Sequence, residues 1–222
     1  MKILVTRPEP GASITAARLT GMGYQPVVAP CLTITRHAPE LPENPAAIIV
    51  TSSQVIPALP QRYRNTPIFC VGDATAGRLR TAGFNSVISA SGDAKDLAAL
   101  IIAHRQPGSY LLAVGARHGL ALAQHLRKAG LTIIRRTLYA ATPTRALPPT
   151  VRAALQDGSI ETALFYSAES ARAFIKLNPP NTANVTALAL SPAVAAALGD
   201  LPWTKIRVAL APTEADLLAY LT

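Results

Sequence analysis

Short β-branched runs alternate along this chain with stretches whose apolar residues recur at helical spacing. The runs occupy residues 3–6, 48–51, 68–71, 111–114, 164–166, 188–190 and 206–209. The intervening stretches place apolar residues three or four apart, as in Ala16 and Leu19 or Leu97, Leu100 and Ile101, which predicts amphipathic helices. Gly21, Gly83 and Gly130 follow three of these stretches, where a helix stop is expected. Strands in strict alternation with helices predict parallel sheets covered on both faces, an α/β fold.

The pattern also repeats. Residues 46–59 align with 161–174, setting Ser52 opposite Ser167; 68–84 align with 187–203, and 89–101 with 209–221, setting Asp96 opposite Asp216. A further pairing joins 2–28 to 109–134, with Leu19 opposite Leu126 and Gly23 opposite Gly130. The offset drifts only between 107 and 120 residues, so one module is used twice, with its pieces in a different order in each copy. The economical arrangement is two α/β domains, one inserted in the other: residues 1–34 with 143–222, and residues 35–142. The chain is expected to cross between them at about 30–45 and 139–150, and both segments are Pro-rich, which suits semi-rigid linkers.

Composition narrows the function. Half of the 222 residues are hydrophobic, enough for real cores. No apolar stretch reaches the roughly 20 residues needed to span a bilayer, and the start, MKILVTRPEP, turns polar too early for a signal peptide; a cytoplasmic protein with no membrane partner is expected. Cys31 and Cys70 have no metal-like spacing and read as reduced thiols. The net charge is +9, with 16 Arg and 5 Lys against 12 acidic residues, which favours an anionic partner. The basic residues are scattered as singles and pairs, and aromatics are only 5%, so nucleic acid is not the expected partner.

Ligands of open parallel sheets bind beyond the carboxyl ends of the strands, where helix N-termini offer free N–H groups. Hydroxyl-bearing motifs fall at those ends in both copies: Thr6-Arg7-Pro8, Thr51-Ser52-Ser53, Asp73 to Thr75, Ser167, and Ser191-Pro192. Each also suits a helix N-cap, and a capped helix start can still receive a carboxylate. Dinucleotide, P-loop, zincin and hydrolase motifs are absent, and no carboxylate pair is spaced for acid–base work. Asp96 and Asp216 are expected in the first turns of helices.

Taken in order, ILVTRP at the start, the strand-ending TSS, the VGxxTAxxL block at 71–79, SAES at 167–170, Ser191-Pro192 and the tyrosine of RRTLYAAT resemble the uroporphyrinogen-III synthase family. The resemblance spans the chain. It implies two flavodoxin-like domains joined by two linkers, no metal or organic cofactor, a monomer, and a substrate that lies between the domains. That substrate is hydroxymethylbilane, a linear tetrapyrrole with eight carboxylates, which is cyclised with loss of water and inversion of ring D to give uroporphyrinogen III for haem biosynthesis.

By the same resemblance, Tyr139 matches a family tyrosine that can hydrogen-bond the departing hydroxyl, while packing at the crossing is its structural alternative. Ser52, Ser53, Thr75, Ser167, Ser191 and Pro192 match positions that meet the substrate, and Thr6 and Arg7 match the N-terminal motif. One departure stands out: a family Gly-Pro-Thr-Thr block reads Ser191-Pro192-Ala193-Val194 here, and Val194 has no side-chain donor. The alternative function with the same fold and charge is a non-catalytic, hinged two-domain receptor for a small anion.

Overall fold

The computed structural model describes residues 1–199 and 201–221. The chain divides into one unit of Met1–Ile34 with Thr142–Thr222 and a second of Thr35–Ala141.

The first unit holds strands β1 (Lys2–Val5) and β2 (Gln25–Val28) around helix α1 (Gly11–Gly21). After the second unit it resumes with α5 (Pro149–Gln156), β9 (Ile160–Phe165), α6 (Ala168–Lys176), β10 (Thr186–Ala189), α7 (Pro192–Ala196), β11 (Lys205–Val208) and α8 (Glu214–Leu218). Its sheet runs β11-β10-β9-β1-β2, and every neighbouring pair is parallel. Counted along the chain this is the 2-1-3-4-5 order of flavodoxin-like folds. Ile3, Val5, Leu164 and Leu188 point to one face, where they meet Ala12 and Leu19 of α1 and Leu217 and Leu218 of α8. Leu4, Ala163, Phe165 and Ala189 alternate to the other face and are equally buried, under α6 and α7. The sheet is thus wound on both sides.

The second unit contains β4 (Ala47–Val50), β5 (Ile68–Cys70), α2 (Asp73–Thr81), β6 (Val87–Ser89), α3 (Ala94–Ala103), β7 (Ser109–Gly115), α4 (Leu120–Lys128) and most of β8 (Thr132–Pro143). A 3-10 turn, Ser53–Ala58, follows β4. One face of the sheet carries Ile49, Phe69, Leu112 and Val114, packed against Leu97 and Ile101 of α3 and Leu122 and Leu126 of α4. Ile48, Val50, Ile68 and Leu111 alternate to the opposite, fully buried face.

Its strands run β8-β7-β4-β5-β6 in space. Paired with the first unit's β2-β1-β9-β10-β11, each strand falls opposite the partner that the sequence repeat assigns to it. The two units share one spatial arrangement, but the second begins at β4 where the first begins at the equivalent of β7. It is a circular permutant of the flavodoxin-like order. Gly23 after α1 and Gly130 after α4 keep even the helix stop, with φ of 85° and 84°, a left-handed conformation open to glycine at no steric cost.

The crossing segments differ from the expected linkers. Residues 32–36 form strand β3 (Leu32–Arg36), which joins the edge of the second sheet beside β8. The His37 amide donates to the Leu138 carbonyl at 2.8 Å, the Thr142 hydroxyl to the Thr33 carbonyl at 3.4 Å and the Thr144 amide to the Cys31 carbonyl at 3.0 Å. The partners' numbers always sum to 175, the signature of an antiparallel pair. The crossings are therefore a hydrogen-bonded ribbon, because TITR and TIIRRTLYAATP alternate well enough to pair once brought together; of the prolines in the two segments only Pro143 lies within the paired stretch, between Thr142 and Thr144.

Among the described residues no helix is long and apolar enough to cross a membrane, and no group of three or more His, Cys, Asp or Glu is arranged to hold a metal ion. Burial pushes the Cys31 thiol up to about 12, so it stays protonated and unreactive at neutral pH.

Candidate active site

In each unit the carboxyl ends of the strands gather the residues that the sequence singles out. In the second unit Ser52 caps the 3-10 turn, its hydroxyl accepting from the Gln54 amide at 3.3 Å. The next hydroxyl, Ser53, accepts a 2.8 Å bond from Nη1 of Arg78. Arg78 lies three residues after Thr75 on α2, the next position on the same helix face, so the start of α2 brings Thr75 and a cation toward the end of β4. Gly72 occupies the N-cap of α2 with no side-chain cap; the Thr75 amide bonds to the Gly72 carbonyl instead. Asp73 beside them accepts from the Ser91 hydroxyl at 3.0 Å, and hydrogen bonds from Ser89 and Ser91 hold its carboxyl below the usual range.

Tyr139 sits in β8 opposite Gly115, where the β7–β8 register shifts. It is buried, with 5% of its surface exposed. The ring lies on the glycine: a Cβ added at Gly115 would come within 2.6 Å of Cζ and 2.9 Å of the hydroxyl oxygen. The loop after β7 is held by Arg135, whose guanidinium donates to the carbonyls of Ala116 at 2.9 Å and His118 at 2.8 Å. The Ala116 amide in turn donates to the Tyr139 carbonyl at 2.9 Å. The tyrosine is packed and rigidly backed.

In the first unit Ser167 caps α6, accepting from the Ser170 amide at 3.1 Å. Ser191 has the extended N-cap backbone before α7, yet its hydroxyl makes no cap bond. The amides of Val194 and Ala195 bond to the Ser191 carbonyl, and Pro192 follows at the first helical position. Thr6 is fully buried and donates a 2.7 Å bond to the Leu164 carbonyl, tying the end of β1 to β9.

Arg7 belongs to a cluster that sequence reasoning missed. Its guanidinium stacks on Tyr166, 4.0 Å from the ring centroid, and Nη1 lies 3.2 Å from both Glu214 Oε1 and the Thr15 hydroxyl. Glu214 also accepts from Thr15 at 2.6 Å, Tyr166 at 2.7 Å and Arg18 at 2.6 Å. Burial works against the Glu214 charge, but the bonds from Thr15 and Tyr166 and the two arginines outweigh it and lower its pKa. Burial raises the Tyr166 phenol further above its ordinary value, aided by the bond to Glu214. No motif links residues 7, 15, 166 and 214; the sheet order brings them together.

A broad, open depression of about 900 Å³ also lies in the second unit, lined by Arg36, His37, Glu40, Leu59, Pro60 and Arg62 among others. None of the residues singled out above lines it.

Comparison with known proteins adds an independent line. A sequence model described as uroporphyrinogen-III synthase HemD matches residues 13–219. Among solved structures the fold is similar to uroporphyrinogen-III synthetase from Helicobacter pylori, with a TM-score of 0.69 at 17% identity over 99% of this chain and 97% of that one. It is also similar to a mutant uroporphyrinogen III synthase from the extreme thermophile Thermus thermophilus, with a TM-score of 0.60 at 14% identity over 100% and 97% of the two chains. At such identities the likeness establishes the fold. No curated protein matches the chain.

Proposed function

Because the chain belongs to the uroporphyrinogen-III synthase family, we propose that it cyclises hydroxymethylbilane to uroporphyrinogen III, losing water and inverting ring D. The observation that carries this reading is the family match across residues 13–219. The charge of +9 supports it, since the substrate bears eight carboxylates. So does the chemistry of the strand ends, which present hydroxyls and helix starts rather than an acid–base pair.

The reaction asks little of such a pair. A pyrrole nitrogen can expel the hydroxyl to leave an azafulvene cation, and ring closure follows by carbon–carbon bond formation. Unguided closure would give the uninverted isomer. The protein's task is to hold the chain so that the ring D α-carbon that already carries the bridge to ring C attacks the azafulvene methylene. The spiro centre so formed releases its old bridge bond, which re-forms at the free α-carbon with loss of a proton and leaves ring D inverted, and this is catalysis by positioning. Thr6, Arg7, Ser167, Ser191 and Pro192 in one unit and Ser52, Ser53 and Thr75 in the other are the proposed substrate-facing positions. For Thr6 and Ser52 the contact runs through the adjoining backbone, their hydroxyls being engaged in the fold. Tyr139 is the proposed donor to the departing hydroxyl, held in place by Gly115 and the Arg135-braced loop.

The test is to incubate the protein with freshly generated hydroxymethylbilane, oxidise the products and separate the isomers. Type III product above the spontaneous rate is expected; type I alone, at that rate, would overturn the reading. In the same assay Tyr139→Phe is expected to lower turnover roughly a hundredfold, the lower end of the range for a lost proton donor, while melting close to the wild type. Unchanged turnover would remove the Tyr139 hydroxyl from the chemistry.

A further inference from the structure

We propose that Glu214 is a positioning residue whose carboxylate aims the guanidinium of Arg7 at a substrate carboxylate, an inference that rests on the function proposed above. Arg7 follows β1 and Tyr166 follows β9, two neighbouring strands, while Glu214 opens α8 after β11. Three contacts fix the guanidinium. Nη1 is bonded to Glu214 and Thr15 at 3.2 Å, one flat face rests on Tyr166, and Gly11 of α1 packs close against the guanidinium. A Cβ at Gly11 would stand 2.5 Å from Nε, 2.8 Å from Cζ and 2.9 Å from Nη2, so the lack of a side chain there is what lets the guanidinium lie in this orientation.

The Nε and Nη2 hydrogens have no hydrogen-bond partner among the described residues, whereas every Nη1 contact is made within the protein. One side of the fork is thus committed and the other is left to bind. An arginine fork matches a carboxylate with two parallel bonds, and one whose orientation is set beforehand loses less freedom on binding. Two arginines against one glutamate leave the cluster with a net charge of +1, which suits an anion.

Stability alone is a weak reason for such a cluster. The Arg7 and Glu214 side chains are only 13% and 18% exposed, and withdrawing both charges from water costs much of what their attraction returns. A positioning role accounts for what stability does not.

The role is tested in the full-length protein with hydroxymethylbilane, measuring KM, kcat and melting temperature. Glu214→Gln keeps the size of the side chain and removes the charge that pins Arg7. It is expected to raise KM about tenfold, the scale of one charge-assisted hydrogen bond, with kcat nearly unchanged. Arg7→Lys is expected to raise KM similarly. In the Arg7→Lys background, Glu214→Gln should add little, because the glutamate acts through the arginine. Tyr166→Phe, which keeps the ring under Arg7 but loses the bond to Glu214, serves if Glu214→Gln fails to fold; a KM rise of roughly threefold is then expected. An active wild type with KM unmoved in the folded variants, or KM effects of Glu214→Gln and Arg7→Lys that multiply, would overturn the positioning role alone. Absence of type III product from the wild type would overturn the functional reading beneath it.

Discussion

Replacing Gly115 by alanine is expected to cost both stability and turnover, through a single displaced ring. Gly115 ends β7 and pairs with Tyr139 where the register shifts. An alanine methyl would stand 2.6 Å from Cζ of the tyrosine, far inside carbon–carbon contact distance, so ring or backbone must yield. The backbone is poorly placed to do so, because Arg135 binds the carbonyls of Ala116 and His118 and the Ala116 amide is bonded back to Tyr139. The ring must move, within a site where only 5% of the tyrosine is exposed. Overpacking of this kind costs about 1–3 kcal/mol, which corresponds to a fall of roughly 5 °C in melting temperature for a chain of this size.

The kinetic effect separates the two roles open to Tyr139. If its hydroxyl meets the leaving group, a shift of about an ångström should lower turnover at least as far as Tyr139→Phe does, since positioning errors of that size are costly. If the tyrosine only packs, Gly115→Ala should melt earlier and turn over normally when assayed well below its melting temperature. Calorimetry and the isomer assay on the same preparation decide between them.

The fold was legible wherever local pattern and repeat agreed. The β-branched runs at 48–51 and 164–166 end in hydroxyls because a buried parallel strand must stop where a helix or turn needs a cap, and Ser52 and Ser167 both serve as caps. The ribbon was not legible, since β3 and β8 lie about a hundred residues apart and their pairing is a fact about partners. Local reading also could not show how each hydroxyl is used. Thr6 bonds to a carbonyl 158 residues away, and Ser191 yields its capping role to its own carbonyl. Nothing local marks Glu214, two residues before the Asp216 expected in the first turn of a helix. Its meeting with Arg7, 207 residues distant, depends on β1 being inserted beside β9 in a sheet whose order no local pattern encodes.

Truncating Phe165 to alanine should be the most damaging single change to the first unit. Phe165 is the last residue of β9 and is fully buried. Its ring lies edge-on to Phe174 at 5.3 Å and to Trp203 at 5.7 Å, and the latter two stack at 6.0 Å. The Trp203 indole is tethered to the Leu198 carbonyl at 2.9 Å, so it cannot readily swing into the space vacated. A cavity should remain, and loss of a buried phenylalanine costs about 3–5 kcal/mol. Trp203 is the only tryptophan in the chain, so its fluorescence follows the first unit alone. In urea the fluorescence midpoint should fall well below that of the wild type, while part of the far-ultraviolet circular dichroism change, from the second unit's separate core of Ile49, Phe69, Leu112 and Val114, should persist to higher denaturant. An equal shift of both signals would show that the units unfold as one. A fluorescence midpoint that stays in place would mean the aromatic cluster contributes little to the core. Because Phe165 is followed directly by Tyr166 and Ser167, the loosened strand end should also raise KM below the transition, through the ring on which Arg7 is stacked.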